Sequence, residues 1–334
     1  MKNLTLILIV IMSSVLLIVG VVFIIKESST DLIKTSVRFP ISIVEAGQTG
    51  FYVAKEKGYY LEEGLDVTFE HSTPTLGPIK AVATEVNDFG MVGGLDALLV
   101  ARGKGRTLIA VSILHKDAKF VALFSLKESG ITKIEDLAGK RLGFFYGHIS
   151  EDFIHSYLKD HNVMVQEVGM KYYDYSRLIS GEVDAMPGFK ATVLPDLEEK
   201  GLKVNVIDPA DSGMVMQGYT IFVTEDFLRE KQEIIVKFLR ATLKGYRDSY
   251  FDPKEGVSML IKHNSNLSSG IELKRMPFYN AHMSTKPFGY MDTIMFQKTY
   301  NRLDRLGLII TPFNPNDAFD STFVGKVNIK EDSE

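Results

Sequence analysis

Two successive rounds of alternating strands and helices constrain the fold of this chain more than any other feature. The first round runs from a strand predicted at residues 37–43 to one at 107–114, and the second starts with a strand at 119–125. Because parallel strands need a crossover between them, usually a helix, the alternation predicts an α/β fold with parallel strands. A strand at 183–186 and a later one at 219–223 complete the pattern, and the last third of the chain is mainly helical.

One of the late helices, predicted at residues 225–250, has a clear apolar face. Its apolar side chains recur at intervals of three and four residues, which places them on one side of a helix. The residues predicted to be buried there are Ile235, Phe238, Leu239, Thr242 and Tyr246.

An uncharged, apolar run extends from Leu4 to Ile25. As a helix rising about 1.5 Å per residue it would be about 33 Å long, close to the hydrocarbon thickness of a bilayer. A secretory signal usually has a shorter apolar core, and this run continues to Lys26 without a convincing cleavage site. We expect an N-terminal transmembrane helix or signal segment, and favour an uncleaved anchor. Either one places the rest of the chain outside the cytoplasm.

Composition and motifs exclude several kinds of chemistry. The chain has 38 basic and 42 acidic residues, a formal net charge of −4, whereas nucleic-acid binding needs a basic face. It has no cysteine, which removes disulfides, thiolate metal sites and thiol nucleophiles. His148, His155 and His161 are too widely spaced to suggest a shared metal. We therefore expect no nucleic-acid partner, no catalytic residues, no metal and no cofactor.

Five segments carry a resemblance to a known family. The most informative is residues 50–67, GFYVAKEKGYYLEEGLDV, which is typical of an amphipathic helix stopped by Gly58 and a turn through Gly64 into a strand. The other four, in order, are residues 87–103, 134–143, 239–248 and 288–292. In these segments the chain resembles the substrate-binding proteins of ABC importers. The similar branch includes SsuA and the binders of nitrate, taurine and thiamine-pyrimidine precursors.

The resemblance implies the α/β, two-lobe fold of type 2 periplasmic binding proteins, with two hinge strands. Residues 1–35 would hold the membrane segment and a spacer. Residues 36–122 together with 222–330 would form lobe one, and residues 123–221 would form lobe two. The ligand would lie in the cleft between the lobes.

The predicted site follows from where open α/β sheets bind ligands, beyond the carboxyl ends of strands and at helix N-termini. The loops there offer polar side chains, glycines that allow close approach, and aromatic rings for a planar molecule. The predicted ligand-binding residues are Gln48, Thr49, Thr75, Gly93, Gly94, Asp96, Tyr146, His148, Phe189 and Tyr219. Thr75 and Asp96 equally suit helix caps, and the aromatic residues equally suit a hydrophobic core.

The resemblance implies a function in transport. The chain would capture a small molecule outside the cytoplasm, in the periplasm or at the outer face of the membrane, and deliver it to ABC permease subunits. A thiamine precursor, a sulfonate or a related small anion or heterocycle are the candidate ligands. Residues 45–49 and 189–192 depart from the pattern of pyrimidine-precursor binders.

Two alternatives remain. The long apolar segment also suits a membrane-anchored sensing module of a signalling receptor. A biosynthetic enzyme of the thiamine-pyrimidine type would share the fold, but such relatives are cytosolic and use a cysteine-rich motif, whereas this chain has no cysteine.

Overall fold

The computed structural model describes residues 31–41, 44–73, 75–117, 119, 121–145, 151–171, 174–215 and 217–329. Within them the strands are β1 (Ile33–Phe39), β2 (Leu65–His71), β3 (Phe89–Val92), β4 (Leu108–Ile113), β5 (Val121–Leu126), β6 (Arg141–Phe144), β7 (Gln166–Gly169), β8 (Met186–Phe189), β9 (Val204–Ile207) and β10 (Thr220–Thr224).

The helices alternate with these strands as the sequence predicts, and dominate after β10. They are α1 (Thr49–Glu56), α2 (Tyr59–Glu62), α3 (Pro78–Ala83), α4 (Leu95–Gly103), α5 (Glu151–Asp160), α6 (Ser176–Ile179), α7 (Lys190–Glu199), α8 (Glu225–Glu230), α9 (Gln232–Phe251), α10 (Pro253–Leu260), α11 (Ser269–His282), α12 (Thr293–Arg305) and α13 (Thr322–Val327). A 3-10 turn, Ala46–Gln48, precedes α1.

The first sheet has the strand order β2-β1-β3-β10-β4. Strand β1 pairs in parallel with β2 and β3, while β10 runs antiparallel to both β3 and β4. Strand β10 therefore returns to this sheet after the chain has passed through five other strands. Four strands of the first sheet thus come from residues 33–113, and one comes from residues 220–224.

The remaining strands repeat this order. A three-stranded sheet has the order β8-β5-β9, and a two-stranded sheet pairs β6 with β7. A bridge between Leu142 of β6 and Ala185, just before β8, connects the two. The combined order is β7-β6-β8-β5-β9, which matches that of the first sheet strand for strand. We refer to this combined set as the second sheet; the chain crosses between the sheets after β4 and after β9.

The apolar face of α9 is buried as predicted. Its five predicted residues are all buried, and Phe238 stacks on Phe89 of β3 with ring centroids 3.9 Å apart. Helix α9 crosses α1 at Gly245, where an added Cβ would lie 2.1 Å from the carbonyl oxygen of Gly50. Glycine at this crossing allows the two backbones to approach, and so holds α1 and the turn before it against the core.

The strand predicted at residues 183–186 is wrong in position. The structure has β8 at Met186–Phe189, paired antiparallel with β5 so that Pro187 lies opposite Leu123. Pro187 and Gly188 are local signals against a strand, but pairing with β5 overrides them. Consequently Phe189 ends a strand, and Lys190 begins helix α7.

No helix in the described part of the chain is both long enough and apolar enough to cross a membrane. The predicted anchor, from Leu4 to Ile25, lies outside the described residues.

Candidate ligand-binding site

The Glu45 carboxyl group is the centre of a buried polar cluster. Glu45 follows β1 at the entrance to the Ala46–Gln48 turn and is fully buried. Its Oε1 accepts hydrogen bonds from the hydroxyl groups of Tyr219, at 2.8 Å, and Tyr279, at 3.1 Å. Its Oε2 is also buried and has no hydrogen-bond partner among the described residues. One oxygen is thus held in place while the other can still accept a donor.

Burial sets the charge state of this cluster. It raises the pKa of Glu45 because a carboxylate loses its hydration, while the two phenols and Arg275 act in the opposite direction. Burial also lowers the pKa of His115 to about 3, so that imidazole is neutral at physiological pH.

Aromatic rings surround the carboxyl group. The centroid of Tyr219 lies 6.1 Å from that of Tyr279 and 4.9 Å from that of His115. Phe189, at the end of β8, meets Tyr219 edge-on at 6.4 Å and belongs to the second sheet. Rings from both sheets therefore meet at Tyr219, which contacts Glu45, and faces of this kind suit a planar molecule.

Gly47 allows these rings to pack onto the turn. An added Cβ would lie 2.6 Å from Cε2 of Tyr219 and 2.9 Å from Cε1 of Tyr279. The carbonyl of Gly47 accepts a hydrogen bond of 2.8 Å from the Tyr246 hydroxyl of α9. Helix α9 thus fixes the turn at a place where a side chain does not fit.

A chain of polar contacts runs from this turn to the second sheet. The amide of Ala46 donates to Oε2 of Glu272 at 2.8 Å, and Arg275 contacts both Glu272 and Asp196 at 2.7 Å. The Tyr175 hydroxyl donates to Asp196 at 2.9 Å. Glu272 and Arg275 lie on α11, which packs against the Ala46–Gln48 turn, whereas Asp196 lies on α7, which follows β8. Burial raises the pKa of Glu272 to about 7.

A second group of polar residues lies at the start of α4. Gly93 and Gly94 are buried and lead into the helix, where Asp96 is fully buried in the first turn. The amide of Leu95 donates to the backbone carbonyl of Gln217 at 3.0 Å. In the described part of the chain, the side-chain amide of Gln217 is buried and has no hydrogen-bond partner. The segment leading to Tyr219 thus connects α4 with the Glu45 cluster.

The structure brings together only some of the predicted residues. Tyr219 contacts Glu45 directly, Phe189 packs on Tyr219, and Gln48 and Thr49 are buried in and just after the Ala46–Gln48 turn. The Thr49 hydroxyl donates to the carbonyl of Ala46 at 2.6 Å, which stabilises the turn.

One predicted residue is not part of this arrangement, and two others are not described. Thr75 is exposed in a turn, where its hydroxyl lies 3.5 Å from that of Thr73. Tyr146 and His148 lie outside the described residues. Lys190, which follows Phe189, forms an ion pair with Asp208.

Several acidic, basic and phenolic members of the site, Glu45 among them, were not predicted from the sequence. Glu45 lies between β1, which ends at Phe39, and α1, which begins at Thr49, so the strand-end rule could have found it. The other missed residues are His115, Asp196, Gln217, Glu272, Arg275 and Tyr279. In α11 the spacing of Glu272, Met276 and Tyr279 is helical, and all three are buried.

Chemically, the cluster can hold a small molecule by orientation and burial. It combines a carboxyl group, phenols, a neutral imidazole and aromatic faces. Among the described residues, no group of three or more potential ligands could hold a metal ion.

Comparisons with known proteins reveal similarity to binding proteins. The chain is 25% identical to the riboflavin-binding protein RibY of Chloroflexus aurantiacus, over 82% of this chain and 81% of that protein. It is 26% identical to the formylaminopyrimidine-binding protein of Halalkalibacterium halodurans, over 83% and 86% respectively.

Enzymes also occur among the relatives. The chain is 26% identical to the 4-amino-5-hydroxymethyl-2-methylpyrimidine phosphate synthase THI13 of Saccharomyces cerevisiae, over 70% of this chain and 72% of that protein. The family thus includes proteins named for binding and proteins named for synthesis.

The fold matches that of a periplasmic binding protein. The structure of the aliphatic sulphonate binding protein SsuA of Escherichia coli superimposes with a TM-score of 0.67 at 15% identity, covering 90% of this chain and 94% of that one. A family model described as NMT1/THI5 like matches residues 45–256, a range that begins at Glu45 and includes Phe189 and Tyr219. The chain belongs to the NMT1/THI5-like family.

Proposed function

We propose that this protein captures a small, planar molecule outside the cytoplasm and delivers it to an ABC permease. The observation that carries the proposal is the buried carboxyl group of Glu45, with Oε1 held by two phenols and Oε2 without a partner among the described residues. A buried polar atom without a partner is costly, and a ligand donor would remove that cost. The binding proteins among the relatives support the same function.

The ligand class follows from the charges at the cluster. Arg275 already contacts Glu272 and Asp196, and Lys190 is paired with Asp208. Glu45 and Asp96 are both buried acids. A neutral heterocycle with N–H donors matches this environment better than a sulfonate, which would need unpaired cations or amides. The aromatic faces of Tyr219, Tyr279 and Phe189 would cover its ring.

The proposed mechanism is closure of two lobes. Residues 36–122 with 222–330 would form one lobe and residues 123–221 the other, with the crossings after β4 and β9 as hinges. Phe189 and Asp196 would then belong to one lobe, and Glu45 and Arg275 to the other. A ligand that contacts both sides shifts the population toward the closed form, which the permease would recognise.

We further propose that the segment from Leu4 to Ile25 anchors the protein, so that the binding region stays at the outer face of the membrane. Cell fractionation with N-terminal sequencing tests this point. A soluble mature protein that has lost this segment would contradict the anchor while leaving export intact.

The central experiment is native mass spectrometry of the full-length protein, extracted in detergent from its host, to detect a retained molecule. Calorimetric titration with a panel of riboflavin, a formylaminopyrimidine and an aliphatic sulfonate then ranks ligand classes. We expect saturable binding of a heterocycle without chemical change. Binding of the sulfonate alone would overturn the ligand class, and conversion of a bound molecule into product would overturn the binding function.

A further inference from the structure

A cavity that Glu45 does not line lies between α5 and α12. Its volume is about 280 Å³, enough for several molecules the size of water at about 30 Å³ each. Helix α12 provides Lys298, Arg302 and Arg305 to its lining. These residues are spaced by four and three positions, so they share one face of the helix.

The other walls come from different parts of the chain. Asp160 and His161 line the cavity from the end of α5, and Ser212 and Val215 line it from the crossing between β9 and β10. The cavity is therefore enclosed by α5, α12 and one of the two crossings between the sheets.

The guanidinium group of Arg302 makes fewer hydrogen bonds within the described part of the chain than it has nitrogen donors. Its Nη1 donates to the carbonyl of Val215 at 3.3 Å, whereas Nε and Nη2 are buried without hydrogen-bond partners among the described residues. Buried donors of this kind normally have hydrogen-bond partners. A buried donor without a partner costs free energy, and a charged one costs the most. The side chain also stacks near the Phe153 ring, with Cζ 5.7 Å from its centroid, which limits other orientations.

The local charges leave an excess of cations. Arg305 is paired with Asp160 at 2.7 Å, and Asp96 is a further acid that interacts with Arg302 through space. Lys298 is exposed and has no ion pair within the described part of the chain. With Arg302 and Lys298 both available, the cavity is suited to a negative ligand with several acceptor oxygens.

We propose that this cavity binds a small oxyanion of the phosphate or sulfate type. Its oxygens would accept from Arg302 and Lys298, and Arg305 would add positive charge beside Asp160. The proposal does not rest on the ligand at Glu45, because none of the residues that line this cavity is among those around Glu45.

The test uses full-length protein in detergent and inorganic phosphate or sulfate as the probe. Calorimetry and thermal unfolding compare each probe with chloride at equal ionic strength, since a ligand that binds the folded state stabilises it by mass action. We expect saturable binding and a rise in Tm with phosphate or sulfate but not with chloride. Absence of binding beyond that of chloride, at millimolar concentrations, would overturn the proposal.

Two variants and a matched control locate the site. Lys298→Ala should weaken phosphate binding about three- to tenfold, the scale expected for losing one charged contact at a partly exposed position. Arg302→Gln should weaken it further. Lys274→Ala removes an exposed lysine from α11 and should leave binding unchanged. An equal effect of the Lys298 and Lys274 substitutions would reject a specific site, and because Lys298 is exposed, failure to fold is not expected to obscure the result.

Glycerol 3-phosphate, titrated in parallel, distinguishes a free ion from a phosphate ester. Tighter binding than inorganic phosphate would support the oxyanion site with an ester as its occupant. Binding that is no tighter would support it with the free ion.

Discussion

Arg275 of α11 and Asp196 of α7 form a hydrogen-bonded ion pair of 2.7 Å that joins a helix beside the first sheet to a helix of the second. The Arg275 side chain is 9% exposed and that of Asp196 is 18% exposed. The same guanidinium contacts Glu272, which accepts from the backbone of Ala46 next to Glu45. Helix α7 of the second sheet is thus connected, through α11, to the Ala46–Gln48 turn beside the proposed ligand.

Asp196→Asn should therefore weaken closure. A hydrogen bond to a charged group contributes roughly 1.5–3 kcal/mol, so ligand affinity should fall about tenfold or more. We expect a larger radius of gyration by small-angle scattering at subsaturating ligand, and weaker calorimetric binding of the best heterocycle in the panel.

The matched control for that variant is Asp226→Asn. It removes an ion pair with Arg229 in which both side chains are 68% exposed, and exposed pairs contribute little. If both substitutions left affinity unchanged, the Arg275–Asp196 pair would have no part in closure.

Glu272 should make stability depend on pH. Burial raises its pKa from 4.5 to about 7, so the folded protein holds a proton that the unfolded chain releases at a lower pH. Its favourable contribution is complete below about pH 4.5 and is lost as pH rises to about 7, by up to about 3 kcal/mol. Glu272→Gln, which has no carboxyl group to titrate, should remove this loss of stability with rising pH.

Chemical denaturation of both proteins across this pH range measures the effect. The control Glu128→Gln alters an exposed glutamate and should retain the pH dependence of the wild type. A pH slope that is the same for wild type and Glu272→Gln would show that Glu272 does not titrate in this range.

Much of the fold is predictable because its signals are local. The alternation of strands and helices, and the apolar spacing along α9, depend on residues a few positions apart. The strand β8 was misplaced because Pro187 and Gly188 locally oppose a strand, while the pairing with β5 that forms it is distant in sequence. A prediction from neighbouring residues does not include a pairing strand that lies far away in the sequence.

The site was only partly predictable for the same reason. Tyr219 is separated from Glu45 by 174 positions and Tyr279 by 234, so no spacing in the sequence links the three. The strand-end rule selected Gln48, Thr49, Asp96 and Phe189, and the structure shows that all four are buried. It gave no indication that Thr75 would be exposed.

Gly47→Ala should damage the site more than an ordinary methyl addition. Its Cβ would lie within 3 Å of the rings of Tyr219 and Tyr279, and both rings are fixed by Glu45. We expect a loss of roughly 1–3 kcal/mol in the free energy of unfolding and at least about tenfold weaker ligand binding. Gly77→Ala is the control, because its Cβ would meet only Oγ of Ser72, at 4.0 Å. Equal effects of the two substitutions on binding would remove Gly47 from the site.

Tyr279→Phe tests the role of Glu45 directly, because it removes one of the two phenol donors to Oε1 while keeping the ring. The remaining hydrogen bond from Tyr219, at 2.8 Å, should preserve the fold. Loss of a donor makes the carboxylate harder to keep charged, so a ligand that donates to Glu45 should bind about three- to tenfold more weakly.

The control is Tyr290→Phe, which changes an exposed tyrosine and should leave ligand affinity at the wild-type value. Calorimetry against pH separates the causes: if Glu45 accepts from the ligand, the affinity of Tyr279→Phe should decline at a higher pH than that of the wild type as the solution is acidified. Identical pH profiles with reduced affinity would mean that Tyr279 contacts the ligand itself and does not act through Glu45.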